Sequence, residues 1–470
     1  MSSTEHGIGL LIKPLILILK RVGIDQAVFY TAGAKLFQAM VQFAVLGALA
    51  KNLSPYEQGY YYTFQSVLAL QIFFELGMTS VLIQATSHEA APLDLAGGER
   101  VPESSEAGRR LASLLHYLVR WYLTASVLFF VCVLIVGVVF FEKSQGGLQM
   151  QQWVGAWLLS TLMTAVSMVF QAIVAFSEGI GRISLAAKVR AVQGVCTVLT
   201  LFVAMTFGLG LYSPGAALFV GLFAGGAMLW KANKNVLLEI WRQMDPDLKI
   251  HWTKDLWGFQ WRMALSWVSG YLIFQFSTPV VFKLLGSVEA GKYGITQQVV
   301  NGISALSMAW ATTRQARWGR WIAMNDRFAL DADFRATLKR TFAVNALLAV
   351  VFVGVMEIGR WFFPIYTDRF APLSVTIVLL SCGAANQIIF TQATYLRAHK
   401  QEPFLWVSIA GAVLVGVGSF VFAHMGILAV ATVYLFSTLV VGLGAGTWIF
   451  VSKKREWQRA HDLIRENALC

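Results

Sequence analysis

Long apolar runs follow one another through the whole sequence, separated by short polar stretches, and this alternation decides the fold class. A helix of about twenty residues crosses the roughly 30 Å hydrocarbon core of a bilayer. Twelve runs reach that length, at 27–50, 59–83, 117–141, 152–176, 184–207, 212–232, 262–285, 292–313, 341–363, 372–395, 404–424 and 427–450. Runs so continuous are not the short alternating segments of a membrane barrel. A composition of 57% hydrophobic and 13% charged over 470 residues also leaves too little polar surface to coat a soluble globule of this size. The expected fold is an all-α polytopic membrane protein with about 12 transmembrane helices.

An even number of spans puts both termini on one side, and the basic residues say which. With the termini inside, 29 of the 37 Lys and Arg fall in inner segments, six in outer loops, and Lys35 and Arg120 within helices. That asymmetry places both termini in the cytoplasm of an inner-membrane protein. It also accounts for the net charge of +12 by topology, so no nucleic-acid partner is expected. The four cysteines show no paired spacing, and neither a disulfide framework nor a metal site is expected. Residues 1–26 contain Pro14 within a short apolar stretch and no small-residue cleavage site, which suits an interfacial helix better than a signal peptide. The polar, Gly/Pro/Glu-rich stretch 87–110 reads as a mobile cytoplasmic loop.

Displacing the sequence by 232 residues aligns LSPYEQGYYYTFQSV, from Leu53, with LGSVEAGKYGITQQVV, from Leu285. Glu57 then faces Glu289, Gly59 faces Gly291, Tyr61 faces Tyr293 and Gln65 faces Gln297. Each block joins the first helix of a half to the second. Two parallel six-helix bundles follow, 27–232 and 262–450, related by a pseudo-twofold axis along the membrane normal around a central cavity. Residues 233–261 form the linker and 451–470 a cytoplasmic tail. The repeated Gly suits a tight outer corner, and the repeated Glu suits the positive end of a helix.

Ionisable and amide side chains inside spans are functional candidates, because a charge at a helix centre costs about 2.5 to 3.5 kcal/mol on insertion scales. Thr31, Lys35, Gln38 and Gln42 form one stripe of the first helix. Arg262, Ser266 and Ser269 form another on the seventh, and Gln297, Asn301 and Ser304 a third on the eighth. Arg120 lies in the third helix, whereas Lys188 and Arg190 lie near enough to a helix end to snorkel. Glu75, one turn after Gln71, is either a protonation site for ion coupling or a partner of Lys35. Pro279 should kink the seventh helix.

Leu53, Ser54, Glu57, Gly59 and Tyr61, followed by Phe74, Glu75, Leu76 and Gly77 in the second helix, resemble bacterial polysaccharide flippases. These belong to the multidrug/oligosaccharidyl-lipid/polysaccharide (MOP) exporter superfamily. The resemblance implies a V-shaped pair of bundles that translocates undecaprenyl-diphosphate-linked oligosaccharide by alternating access, for O-antigen, capsule or exopolysaccharide synthesis. It also implies work beside a polysaccharide polymerase and a chain-length regulator, with no cofactor. Lipid II flippases of the superfamily usually carry two further helices, which are not found here. A diphosphate needs basic partners, a role for Lys35 and Arg262. A cation-coupled drug or metabolite antiporter of the same superfamily would instead need acidic groups in its cavity. A membrane polymerase or ligase would need a sizeable outer loop, and these are about ten residues or fewer by the chain reading. No phosphate loop or metal spacing is present either.

Overall fold

A computed structural model of the protein describes residues 41, 44–93, 106–142, 147–243, 257–399 and 401–469, and these are almost wholly helical. The N-terminal segment 1–26 and the predicted stripe residues Lys35, Gln38 and Gln42 lie outside the described residues. The first described helical turns, 44–52, lead into α1 (Pro55–Leu68), α2 (Gln71–Glu75) and α3 (Met78–Ala90), which together make the second span. Then come α4 (Glu106–Glu142), α5 (Met150–Gly179), α6 (Ile183–Thr206) and α7 (Ser213–Arg242). In the second half α8 (Trp257–Phe274) and α9 (Ser277–Leu285) form one bent span, and α10 (Ser287–Ser307) continues into α11 (Ala309–Ala323). They are followed by α12 (Arg327–Phe362), the single turn α13 (Pro364–Thr367), α14 (Leu373–Ala398) and α15 (Leu405–Phe422). Finally α16 (Ile427–Ser437) passes through a π-helical stretch, Thr438–Ala445, into α17 (Gly446–Leu469).

Eight described helices are long and apolar enough to cross a membrane, and two bent helix pairs raise the number to ten. The expected eighth span, 292–313, is present as α10 and α11 but is not among them. Its polar face is the reason, since Gln297, Gln298, Asn301, Ser304 and Ser307 all fall on α10. At about 1.5 Å per residue, the 37 residues of α4 and the 36 of α12 exceed the hydrocarbon core. Both project at the end of the molecule that carries the turns 180–182 and 324–326 and the Lys- and Arg-rich helix α17, here termed the basic end.

Ser54 starts α1 with a capping box. Its hydroxyl accepts the Glu57 N–H at 3.2 Å, and Glu57 returns the bond to the Ser54 N–H at 2.8 Å. Glu289, its repeat partner, sits in the first turn of α10 and pairs with Lys292 at 2.9 Å. The repeated glycines do something other than turn a corner. Gly59 and Gly291 lie inside helices where α1 crosses α10. A Cβ on Gly59 would fall 1.9 Å from the Ser287 carbonyl oxygen, and one on Gly291 2.9 Å from the Gly59 nitrogen. The two halves therefore touch backbone to backbone at the repeat itself.

Side chains reinforce this seam, which lies at the end opposite the basic one. The Gln58 amide donates to the carbonyls of Gly291 and Arg369, both at 3.0 Å. Tyr60, Phe140 and Phe141 from the first half meet Phe282 of the second, Tyr60 edge-on at 5.0 Å, and Phe64, Trp153 and Trp157 pack against Tyr60 and Phe141 from the far side. Such aromatic pairs contribute about 0.5–1.5 kcal/mol each beyond their burial.

The bends have local causes. Leu76 and Gly77 are both left-handed (φ 51° and 67°), which ends α2 and tilts α3 by 41°. The repeat offset carries Leu76 to Met308, where α10 gives way to α11, so the second and eighth spans are interrupted at equivalent points. The 40° bend between α8 and α9 lies at Gln275 and Phe276. Pro279 explains it, because its ring excludes the carbonyl four residues earlier, that of Gln275.

Candidate functional site

Two cavities open beside these interruptions. The larger, about 510 Å³, is bounded in the first half by Leu49, by α1 and the start of α2, and by α5, α6 and α7. Gln275, from the bend of the seventh span, and Gln298, from α10, close it from the second half. Its polar wall comprises Gln65, Gln71, Gln275, Gln298, Ser160, Thr164, Ser167 and Thr197, with Tyr61 and Tyr62 beside them. No Asp, Glu, Lys or Arg is among the described residues that line it. The three α5 hydroxyls recur at i, i+4 and i+7, which puts them on one helix face. Thr164 Oγ1 donates to the Ser160 carbonyl at 2.7 Å and Ser167 Oγ to that of Thr164 at 2.8 Å, so each keeps its oxygen lone pairs for a further donor.

The smaller cavity, about 270 Å³, lies within the second bundle. Gln297, Asn301, Ser304 and Asn386 line it with Phe274, Phe390, Met308 and Tyr434. Gln297 donates to Asn301 at 3.1 Å, and Asn386 to the Tyr434 hydroxyl at 2.8 Å. Gln65 and Gln297 are repeat partners, so the two cavities begin from equivalent positions. Along α10, Gln297 serves the smaller cavity and its neighbour Gln298 the larger.

The sequence-predicted residues divide accordingly. Gln297 and Asn301 come together, as their helical spacing requires. Arg120 is exposed on α4 and lines neither cavity. Arg262 is exposed near the start of α8 with its guanidinium 5.4 Å from the Trp261 ring centre, again outside both cavities. These two arginines therefore add no positive charge to the walls of either cavity. A charged side chain that reaches solvent or the interface near a helix end avoids the cost of burial that a midplane position imposes. Lys188 is exposed as well, and Arg190 pairs with Glu178 at 2.6 Å.

Glu75 is half-buried at the break between α2 and α3, one turn beyond the cavity-lining Gln71. It interacts electrostatically with Tyr122, whose hydroxyl shares a 2.8 Å hydrogen bond with that of Thr79. The residues that sequence reasoning missed are the uncharged ones: Gln65, Ser160, Thr164, Ser167, Gln275 and Gln298. The periodic rule that found Gln297 and Asn301 also fits Ser160, Thr164 and Ser167. Nothing in their charge marks them, because a helical hydroxyl can satisfy itself on the carbonyl four residues earlier, as Thr164 does.

No family model matches the sequence, and no curated protein does. The architecture is nevertheless shared. The chain has the fold of MOP superfamily transporters. It is similar to an inward-facing multidrug resistance MATE family transporter of that superfamily, with a TM-score of 0.59 and 14% identity, covering 89% of this chain and 96% of that one. A MOP superfamily transporter from Pyrococcus furiosus whose binding pocket has reverse polarity gives 0.59 and 13%, covering 91% and 96%. The lipid II flippase MurJ in an inward closed conformation gives 0.55 and 14%, covering 87% of this chain and 86% of that one.

Proposed function

We propose that this protein is a flippase that carries undecaprenyl-diphosphate-linked oligosaccharide repeat units from the cytoplasmic to the outer face of the inner membrane, by alternating access between its two bundles. The product would feed O-antigen, capsule or exopolysaccharide synthesis, beside a polymerase and a chain-length regulator. The observation that carries this reading is the larger cavity: it sits between the halves, in a transporter fold, and its polar wall is made of carboxamides and hydroxyls. Those groups match sugar hydroxyl and acetamido groups donor for acceptor. The similarity to MurJ adds a lipid-linked cargo on the same fold. Lys35 is proposed as the partner of the diphosphate and Glu75 as the ion-coupling group.

The second reading is a cation-coupled drug or metabolite antiporter, which the similarity to MATE transporters and the embedded Glu75 favour. A cationic drug would need a carboxylate in the larger cavity, and none is among its described lining residues. The deciding experiment is to deplete the protein and label lipid-linked oligosaccharides with a membrane-impermeant sugar-oxidising reagent. Accumulation of unlabelled, inward-facing repeat units is expected. Outward-facing units at normal levels would remove the flippase reading, and their accumulation unpolymerised would favour an enzyme. In the same assay Lys35→Ala should abolish export while the protein still inserts.

A further inference from the structure

We propose that the larger cavity is a subsite for an uncharged sugar of the cargo, held by carboxamides from both halves, and that it excludes acidic sugars. The inference rests on the flippase reading and deepens it.

Four carboxamides, Gln65 and Gln71 from the first half and Gln275 and Gln298 from the second, share the wall of one 510 Å³ space. A carboxamide offers two donors and an acceptor with two lone pairs, the complement of a sugar hydroxyl or N-acetyl group. A second, independent observation points to a ligand. Ser160 and Tyr62 both line the cavity and are buried, at 3% and 6% exposure, yet Ser160 Oγ and the Tyr62 hydroxyl oxygen have no hydrogen-bond partner. Buried hydroxyls left unpaired are costly and uncommon. Both oxygens lie beneath the cavity surface, and a polyhydroxyl guest supplies what they lack once their side chains turn into the space.

The same wall sets the specificity. A hexuronate carboxylate entering this space would give up bulk hydration, and no cation is among the described lining residues to replace it. A neutral hexose or N-acetylhexosamine has no such debt. Because Gln275 and Gln298 belong to the half opposite Gln65 and Gln71, the grip is complete only while the halves stay together. Their separation would dismantle it and release the sugar.

The test uses the full chain in lipid nanodiscs and two probes: a short-chain polyprenyl diphosphate bearing a neutral N-acetylhexosaminyl disaccharide, and the same carrier ending in a hexuronate. The neutral probe should bind at least about 10-fold more tightly. Gln65→Lys, at an exposed helical position, should shrink or reverse that ratio by about 10-fold. Ser160→Ala should weaken the neutral probe alone. Equal affinity for both probes, or a ratio that Gln65→Lys leaves unchanged, overturns the proposal. The same probes in proteoliposomes separate it from the flippase reading. If both are flipped alike, the subsite is overturned while flipping stands. If neither is flipped and the neutral preference persists, flipping falls while the subsite stands.

Discussion

At the scale of single residues, the repeated Gly and the embedded Glu make opposite demands. Gly59 is required by contact, not by conformation: it lies in a helix, and a Cβ would meet Ser287 backbone at 1.9 Å. Backbone cannot swing aside as a flexible side chain can, so Gly59→Ala forces α1 and α10 apart. A cost of about 1–3 kcal/mol is expected for overpacking of this kind. It should appear as a lowered thermal unfolding temperature in detergent, and unchanged unfolding would mean the crossing is looser than its geometry. Glu75 is different, because holding a carboxylate inside the membrane has a cost that packing does not repay. In proteoliposomes with imposed proton or sodium gradients, Glu75→Gln should lose most of the gradient-driven flipping, about 10-fold or more, while downhill exchange continues. A full gradient response in that variant would remove Glu75 from coupling.

At the scale of elements, the sequence carried the helices better than their interruptions. Ten of the expected spans were legible as described helices or bent pairs able to cross a membrane, because a bilayer imposes one length on every span, and Pro279 marked one bend in advance. The break at Leu76 and Gly77 was not legible, since a leucine in left-handed conformation is dictated by packing against α8, where Met263 and Trp267 crowd Gly77. The smaller cavity could be read from the Gln297–Asn301–Ser304 stripe. The larger could not, because it is assembled from seven spans and its groups carry no charge to signal burial. Helix α17 shows a further arrangement that no periodicity foretells. Lys454 pairs with Asp331 at 2.8 Å, and the Arg327 guanidinium donates to the Trp457 carbonyl. His399 stacks on Trp457 at 3.9 Å and donates from Nδ1 to the Tyr395 carbonyl at 3.1 Å. Burial pushes the His399 imidazole below its usual pKa and Arg327 adds to that shift, while the Tyr395 carbonyl and the Asp331 carboxylate oppose it. The neutral ring is therefore the form that the folded state prefers. Its contribution to stability is complete above the unfolded imidazole value of about 6.5 and is lost as pH falls through the lowered folded value. Thermal unfolding should accordingly drop across that acidic window. His399→Phe keeps a ring against Trp457 and should flatten the slope, and an equal slope in the variant would assign the acid sensitivity elsewhere.

For the whole molecule, the proposed alternating access makes a demand that the seam can be tested against. The halves meet at the end opposite the basic one through Gln58 on Gly291 and Arg369, through the Gly59 crossing, and through Tyr60 on Phe282. Cargo leaving on that side must part all of these contacts, and the two Gln58 hydrogen bonds, about 1 kcal/mol net each, are small enough to break in every cycle. The larger cavity lies beside this seam, with α1 and α10 contributing to both, so opening the seam also withdraws Gln298 from Gln65. Motion and release are then one event. Cysteines at Gln58 and Arg369, in a background lacking the native Cys132, Cys196, Cys382 and Cys470, place one thiol on each side of the seam. Joining them with a short bifunctional reagent should stop flipping in proteoliposomes, and reducing a cleavable linker should restore it. Neutral lipid-linked sugar, by driving the cycle, should lower the cross-linking yield below that of protein without cargo. Flipping at full rate with the thiols joined would show that the halves part elsewhere and that the repeated Glu-x-Gly-x-Tyr block is a fixed hinge.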